Sequence, residues 1–199
     1  MKLDRRRAIG ALFAATSGLA APRVFATPRK LARPAALTQA LAALDRHAHR
    51  GIARDVIGLV DFTRPSRDRR FEIVDIANGR VVASYLVAHG RGSDPRNTGW
   101  VQEFSNRAGS NASSAGSYVI GDTYFGKHGR SRRLLGLDPT NSNAFDRAIV
   151  MHGADYVTPT MAAREGRIGR SLGCFAVEQH VRDEVLDRLG KGRLLFAAG

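Results

Sequence analysis

Cys174 is the only cysteine in this 199-residue chain, so no internal disulfide can brace the fold. Tryptophan also occurs once, and acidic residues are scarce, with 18 Asp and Glu against 31 Lys and Arg. No apolar run reaches the roughly 18 residues that cross a bilayer, which removes an integral membrane reading. No internal repeat and no second domain are visible. The acid deficit leaves a formal charge of +13. Such a field draws a protein to polyanions but says nothing about its chemistry. No Arg/Lys cluster is interleaved with stacking aromatics, as a single-strand nucleic-acid binder requires, so nucleic acid is not an expected partner.

The first residues read as a targeting segment. Arg5, Arg6 and Arg7 precede the apolar stretch Ala8 to Ala21, and Val24-Phe25-Ala26 offers a cleavage site. That order is a secretory signal peptide, possessing an arginine pair like that of twin-arginine signals. Residues 1–26 hold five basic residues and one acid, so the remainder still has a net charge of +9. An exported protein of that charge meets anionic wall polymers, and export to the periplasm or cell envelope is expected. An unpaired thiol is a liability in an oxidising compartment, unless it is buried as a small hydrophobe or is put to use.

Leu37, Ala40, Leu41 and Leu44 follow Pro34 at helical spacing, with Gly51 placed as a stop. Residues 27–54 are therefore expected as an extension carrying a helix on the outside of the main body. Val56 to Val60 reads as a buried strand. Phe71–Ala77 and Arg80–Ala88 read as a hairpin around Asn78-Gly79, whose two turn positions favour positive φ. These runs are apolar on both faces, as in a sheet packed between layers. Residues 89–116 show little periodicity. Ser117–Phe125 and Arg147–Met151 are further β-like runs, and Leu194–Ala197 a closing strand. Val177, Val181, Val185 and Leu189 predict a helix over 178–189. The expected fold is mainly β with peripheral helices, a mixed α+β catalytic domain over 55–199.

Arg170-Ser171-Leu172-Gly173-Cys174 is the segment with chemical content. A cysteine nucleophile needs a base, a positive setting and donors for the oxyanion. Gly173 frees the backbone beside the sulfur, so the N–H groups of Gly173 and Cys174 are candidate oxyanion donors. Arg170 adds positive charge. A neighbouring imidazolium is expected to hold the thiol in its ionised form. Among six histidines, His47 and His49 on the first helix and His180 on the last are most simply solvated. His89, His128 and His152 each precede Gly at the end of a β-like run, where a ring can face a cleft, and His152 follows the apolar run Ala148 to Met151, expected as a central strand. His47-Ala48-His49 with Cys174 gives no paired-ligand spacing for zinc, and no metal or other cofactor is expected. Ser171-Leu172-Gly173 is not a Gly-x-Ser-x-Gly elbow, so Ser171 is not expected as a nucleophile.

Met151-His152-Gly153-Ala154, followed some twenty residues later by Ser171-Leu172-Gly173-Cys174, resembles the signature of the L,D-transpeptidase (YkuD-like) catalytic domain, in its murein L,D-transpeptidase branch. The similarity continues through Val60-Asp61-Phe62, Val87 to Ser93, Phe104-Ser105-Asn106, Gly121 to Tyr124 and Gly126-Lys127-His128-Gly129. There are departures: relatives carry Arg two residues after the cysteine, where this chain has Ala176, and the closer branch has Pro where this chain has Phe175. The resemblance implies that Cys174 is the nucleophile and His152 its base, with Ser171 orienting His152 or the substrate. His89, Tyr124 and His128, with Gly153 and Arg170, are expected to line the substrate cleft. The implied partners are peptidoglycan peptide stems, the implied reaction 3–3 cross-linking through a thioester, and the expected state a monomer. Two alternatives remain open: a hydrolase using the same site, and a wall-binding module without catalysis.

Overall fold

The computed structural model describes Pro34 and residues 36–199. The expected signal segment lies outside the described residues. Eight strands form one sheet: β1 Val56–Asp61, β2 Phe71–Asp75, β3 Arg80–Tyr85, β4 Gly116–Gly126, β5 Gly129–Gly136, β6 Val150–Ala154, β7 Phe175–Glu178 and β8 Leu194–Ala198, in the spatial order β3-β2-β1-β8-β4-β5-β6-β7. The helices are α1 Leu37–Arg46, α2 Pro159–Glu165 and α3 Arg182–Arg188. None of the described helices is long and apolar enough to cross a membrane.

The double-sided apolar pattern of the strands reflects two cores. Along β8, Leu195 and Ala197 join one core while Leu194, Phe196 and Ala198 join the other, as the two-residue period of a strand requires. On one face α1 lays Leu37, Ala40, Ala43 and Leu44 over Ile57, Leu59, Val74, Leu194 and Phe196. On the other, the sheet curls around Phe62, Tyr118, Met151 and Phe175, and α3 adds Val185 and Leu186. The curl brings the segment after β3 back onto the edge strand β7: the Ala88 N–H donates to the Ala176 carbonyl at 2.8 Å, and the Leu86 N–H to the buried Glu178 carboxylate at 3.2 Å. That covers an edge otherwise open to pairing with another chain.

Several elements differ from the sequence reading. The helix after Pro34 ends at Arg46, and Gly51, in the left-handed region at φ 65°, caps a following 3-10 turn. His47 is buried rather than solvated, because its Nε2 meets Asp138 Oδ1 at 2.9 Å. The β2–β3 connection is a longer turn instead of a two-residue one. The Asp75 carboxylate accepts the Ala77 N–H, and only Gly79 takes positive φ. β5 and α2 were not anticipated, nor was β7. The predicted helix over 178–189 is instead the end of β7, a 3-10 turn at Gln179–Val181 and the short α3. His152 lies on β6, the penultimate strand of the sheet rather than a central one, although it is flanked on both sides.

Candidate active site

β6 and β7 run parallel, with His152 opposite Ala176. Paired residues of parallel strands share a face, and so do residues two apart along a strand. Cys174 immediately precedes β7, and its side chain opens on the same groove as His152. Met151, Phe175 and Val177 take the opposite face and enter the core. Cys174 and His152 both line a groove of about 390 Å³, together with Tyr124, Lys127, His128, Tyr156, Arg170 and Ser171.

The His152 ring is 1% exposed and its protonation pattern is fixed by the backbone. Its Nδ1 lies 2.8 Å from the Gly153 carbonyl oxygen. A carbonyl only accepts, so Nδ1 has the hydrogen and Nε2 keeps its lone pair. Burial, with help from the His128 and Lys127 charges, lowers the His152 pKa to about 4 despite the Gly153 hydrogen bond. The ring is therefore a neutral base at ordinary pH. The His128 ring stacks on it, 4.1 Å between centroids and 17° from parallel.

The half-buried thiol of Cys174 contacts the Ala148 carbonyl at 3.7 Å. Burial pushes its pKa up, and this outweighs the Val150 backbone, Lys127 and Arg147, which pull it down. Burial thus disfavours the charged form of both groups.

A short turn presents the sulfur. Ser171 Oγ–H donates to the Cys174 carbonyl at 2.7 Å and accepts the Gly173 N–H at 3.1 Å. Ser171 therefore braces the loop of Cys174 and does not reach for the imidazole. The Gly173 N–H, expected to face an oxyanion, is spent within this turn. Gly173 has φ 116°, and a Cβ there would lie 2.8 Å from the Ala112 carbonyl oxygen and from Ile149 Cδ1. Only glycine fits. Ser113 Oγ donates to the Gly173 carbonyl at 3.2 Å, and Arg147 donates to Ser105 O, Ser114 Oγ, Ser110 Oγ and the Ala112 carbonyl. The long segment without periodicity is thereby tied to the wall of the groove.

His89 does not line the groove. It is fully buried behind the cysteine turn, with Nδ1 accepting from Arg70 Nη2 at 2.7 Å and Nε2 3.5 Å from Asp94 Oδ2. Burial and the Arg70 charge lower its pKa to about 4. Its contribution is structural: its carbonyl accepts the Ser171 N–H at 2.9 Å. Gly153 borders a neighbouring cleft beyond His128, and a Cβ on it would strike Gln179 Oε1 at 2.4 Å. Arg170 lines the groove while donating to the Asp94 carbonyl. The Tyr124 ring lies under the Arg133 guanidinium, 4.7 Å away. Lys127, Arg147 and Tyr156 also line the site and were not singled out from sequence, although burial raises the Tyr156 pKa to about 12 and so marks it as an enclosed hydroxyl. Recognising β5 would have placed Lys127 and His128 at a hairpin tip.

No curated protein matches the chain. Solved structures that resemble it include an L,D-transpeptidase from Mycobacterium smegmatis (12% identity, 73% of this chain and 59% of that one, TM-score 0.44). Others are an L,D-transpeptidase from Xylanimonas cellulosilytica (16%, 80% and 69%, TM-score 0.43) and the helical cell shape determining protein Pgp2 from Campylobacter jejuni (11%, 71% and 46%, TM-score 0.46). The chain spans about three fifths of the length of the first of these. The family model of the L,D-transpeptidase catalytic domain matches residues 29–198, which takes in α1 as well as all eight strands. On that match, spanning nearly everything the structure describes, the chain belongs to the L,D-transpeptidase catalytic domain family.

Proposed function

We propose that this protein is an exported peptidoglycan L,D-transpeptidase in which Cys174 forms a thioester with a tetrapeptide stem and passes it to an amine. The observation that carries the reading is the opening of Cys174 and His152 on one groove, with the lone pair of Nε2 left unprotonated by the Gly153 contact.

Because burial disfavours the charged form of both thiol and imidazole, the proton moves as attack begins. His152 Nε2 takes the thiol proton while sulfur bonds to the carbonyl carbon before the terminal D-alanine, and the carbonyl π pair moves onto oxygen. With the Gly173 N–H engaged by Ser171, we assign the oxyanion to the backbone N–H of Cys174 itself. Loss of one such donor typically costs about 2.7–4 kcal/mol. Collapse breaks the C–N bond, and the imidazolium returns its proton to the departing amine of D-alanine. The amine of a second stem then attacks the thioester, His152 removes its extra proton, and sulfur leaves to be reprotonated. The product is a 3–3 cross-link, and the balance needs no redox partner. Cell-envelope localisation follows from the substrate and from the signal-like residues 1–26.

Incubation with a defined disaccharide-tetrapeptide, followed by mass analysis, tests this. Dimers with released D-alanine are expected, and Cys174→Ala abolishes them. Shortened monomers alone assign water as the acceptor and make the protein a hydrolase. If neither product forms and a carbapenem leaves no adduct on Cys174, the catalytic reading is wrong and a wall-binding module takes its place.

A further inference from the structure

Three cationic side chains line the groove, Lys127, Arg147 and Arg170, and no carboxylate does. Their commitments differ. Arg147 donates to four oxygens of the segment 105–114, and Arg170 donates to the Asp94 carbonyl. Lys127 is exposed and, among the described residues, has no hydrogen-bond or ion-pair partner. It occupies the tip of the β4–β5 hairpin between the paired residues Gly126 and Gly129. Gly129, at φ 70°, closes that turn, and the adjacent His128 ring stacks on His152. A backbone this constrained holds the base of the lysine stem beside the groove, while the four-carbon chain leaves the ammonium free to swing. The Lys127 charge is felt at both Cys174 and His152. Position 176, where relatives carry Arg, holds a fully buried alanine and offers no cation to the groove.

Resting on the reading above, we infer that Lys127 is a specificity-determining residue: its ammonium receives a free carboxylate carried within one residue of the bond that Cys174 attacks. An uncommitted ammonium is the group whose hydration can be exchanged for a ligand anion without breaking a protein contact, whereas recruiting Arg147 would unfasten the loop.

Two haloacetates give a test that does not depend on transpeptidation. Iodoacetate and iodoacetamide offer sulfur the same carbon and leaving group and differ in charge. In Lys127→Met the ratio of the iodoacetate to the iodoacetamide rate at Cys174 is expected to fall about fivefold at low ionic strength, and the difference to shrink in about 1 M salt. Lys127→Arg should keep the wild-type ratio, as should Arg164→Met on the exposed face of α2. The second arm compares a tetrapeptide stem with its C-terminal amide. Lys127→Met is expected to raise KM for the acid about fivefold and leave KM for the amide unchanged, because one surface ion pair contributes at most about 1 kcal/mol. An unchanged haloacetate ratio overturns the inference. So does an equal KM effect on acid and amide, which leaves the transpeptidase reading intact. If no stem is turned over, that reading fails, while the haloacetate ratio still decides whether Lys127 attracts carboxylate at the sulfur.

Discussion

Mild acid should destabilise this protein through two buried histidines. His89 and His152 are 0% and 1% exposed, and each has its pKa lowered from 6.5 to about 4. The His89 geometry supports this independently, since an Nδ1 that accepts from Arg70 cannot carry a proton. With the folded pKa below the unfolded one, the stabilisation is fully present above pH 6.5, and loss begins as pH falls below that value and is complete near pH 4. Each unit crossed removes about 1.4 kcal/mol per group, so by pH 5 each histidine costs about 2 kcal/mol and the pair about 4 kcal/mol. Asp94 and Asp138 have lowered pKa values and stay ionised over that window. For a chain of this size the loss corresponds to a fall in Tm of about 8–16 °C. Thermal melts followed by circular dichroism at pH 7 and pH 5, at fixed ionic strength, measure it. His89→Asn, which keeps an acceptor for Arg70 but does not titrate, should show about half the pH-dependent fall. A Tm that stays level from pH 7 to pH 5, or a slope that His89→Asn leaves intact, refutes the argument.

Gly173→Ala should cost about 1–3 kcal/mol for the positive φ and a similar amount for the collision with Ala112 and Ile149, seen as a lowered Tm. Because that turn carries the sulfur, turnover should also fall about hundredfold. A variant with wild-type Tm and rate would show that the turn is not as tight as described. Ser171→Ala strands the Gly173 N–H and the Cys174 carbonyl, for a loss of about 1–3 kcal/mol, and stem-peptide kinetics should show a fall in kcat larger than any change in KM. Iodoacetamide alkylation of Cys174 should still be accelerating at about pH 9, because the thiol pKa is raised. A plateau below pH 7 would mean that the thiolate–imidazolium pair is the resting form.

The sequence was most informative where a signal is local and least where a distant partner decides. The runs of β1 and β2, apolar on both faces, identified a sheet packed between layers, and the helical spacing of Leu37, Ala40 and Leu44 located α1. β5 escaped because Arg130, Arg132 and Arg133 make it look like an exposed loop. In the fold, α3 takes up two of these charges: Arg130 pairs with Asp187, and Arg132 donates to the Leu186 carbonyl. The valine stripe was read as helical although Val177 belongs to β7. All three valines do face the same core, Val181 from its margin, so the pattern reported burial correctly and element type incorrectly. His89 and His152 have the same local signature, a histidine before glycine after an apolar run. Arg70 and Asp94 seal the first in the interior, while the second opens on the groove, and no window of sequence around either residue contains that difference.

The last strand in chain order occupies an interior position. Ile57 pairs with Leu194 and Gly116 with Ala197, so β8 alone joins the ladder of β3, β2 and β1 to that of β4 through β7. During synthesis the edges of β1 and β4 have no partner until residues 194–198 arrive, and unpaired edges of this kind invite aggregation. Such late, long-range closure slows folding. A chain cut short by this one strand would contain every residue named for catalysis and lack the splice that unites them.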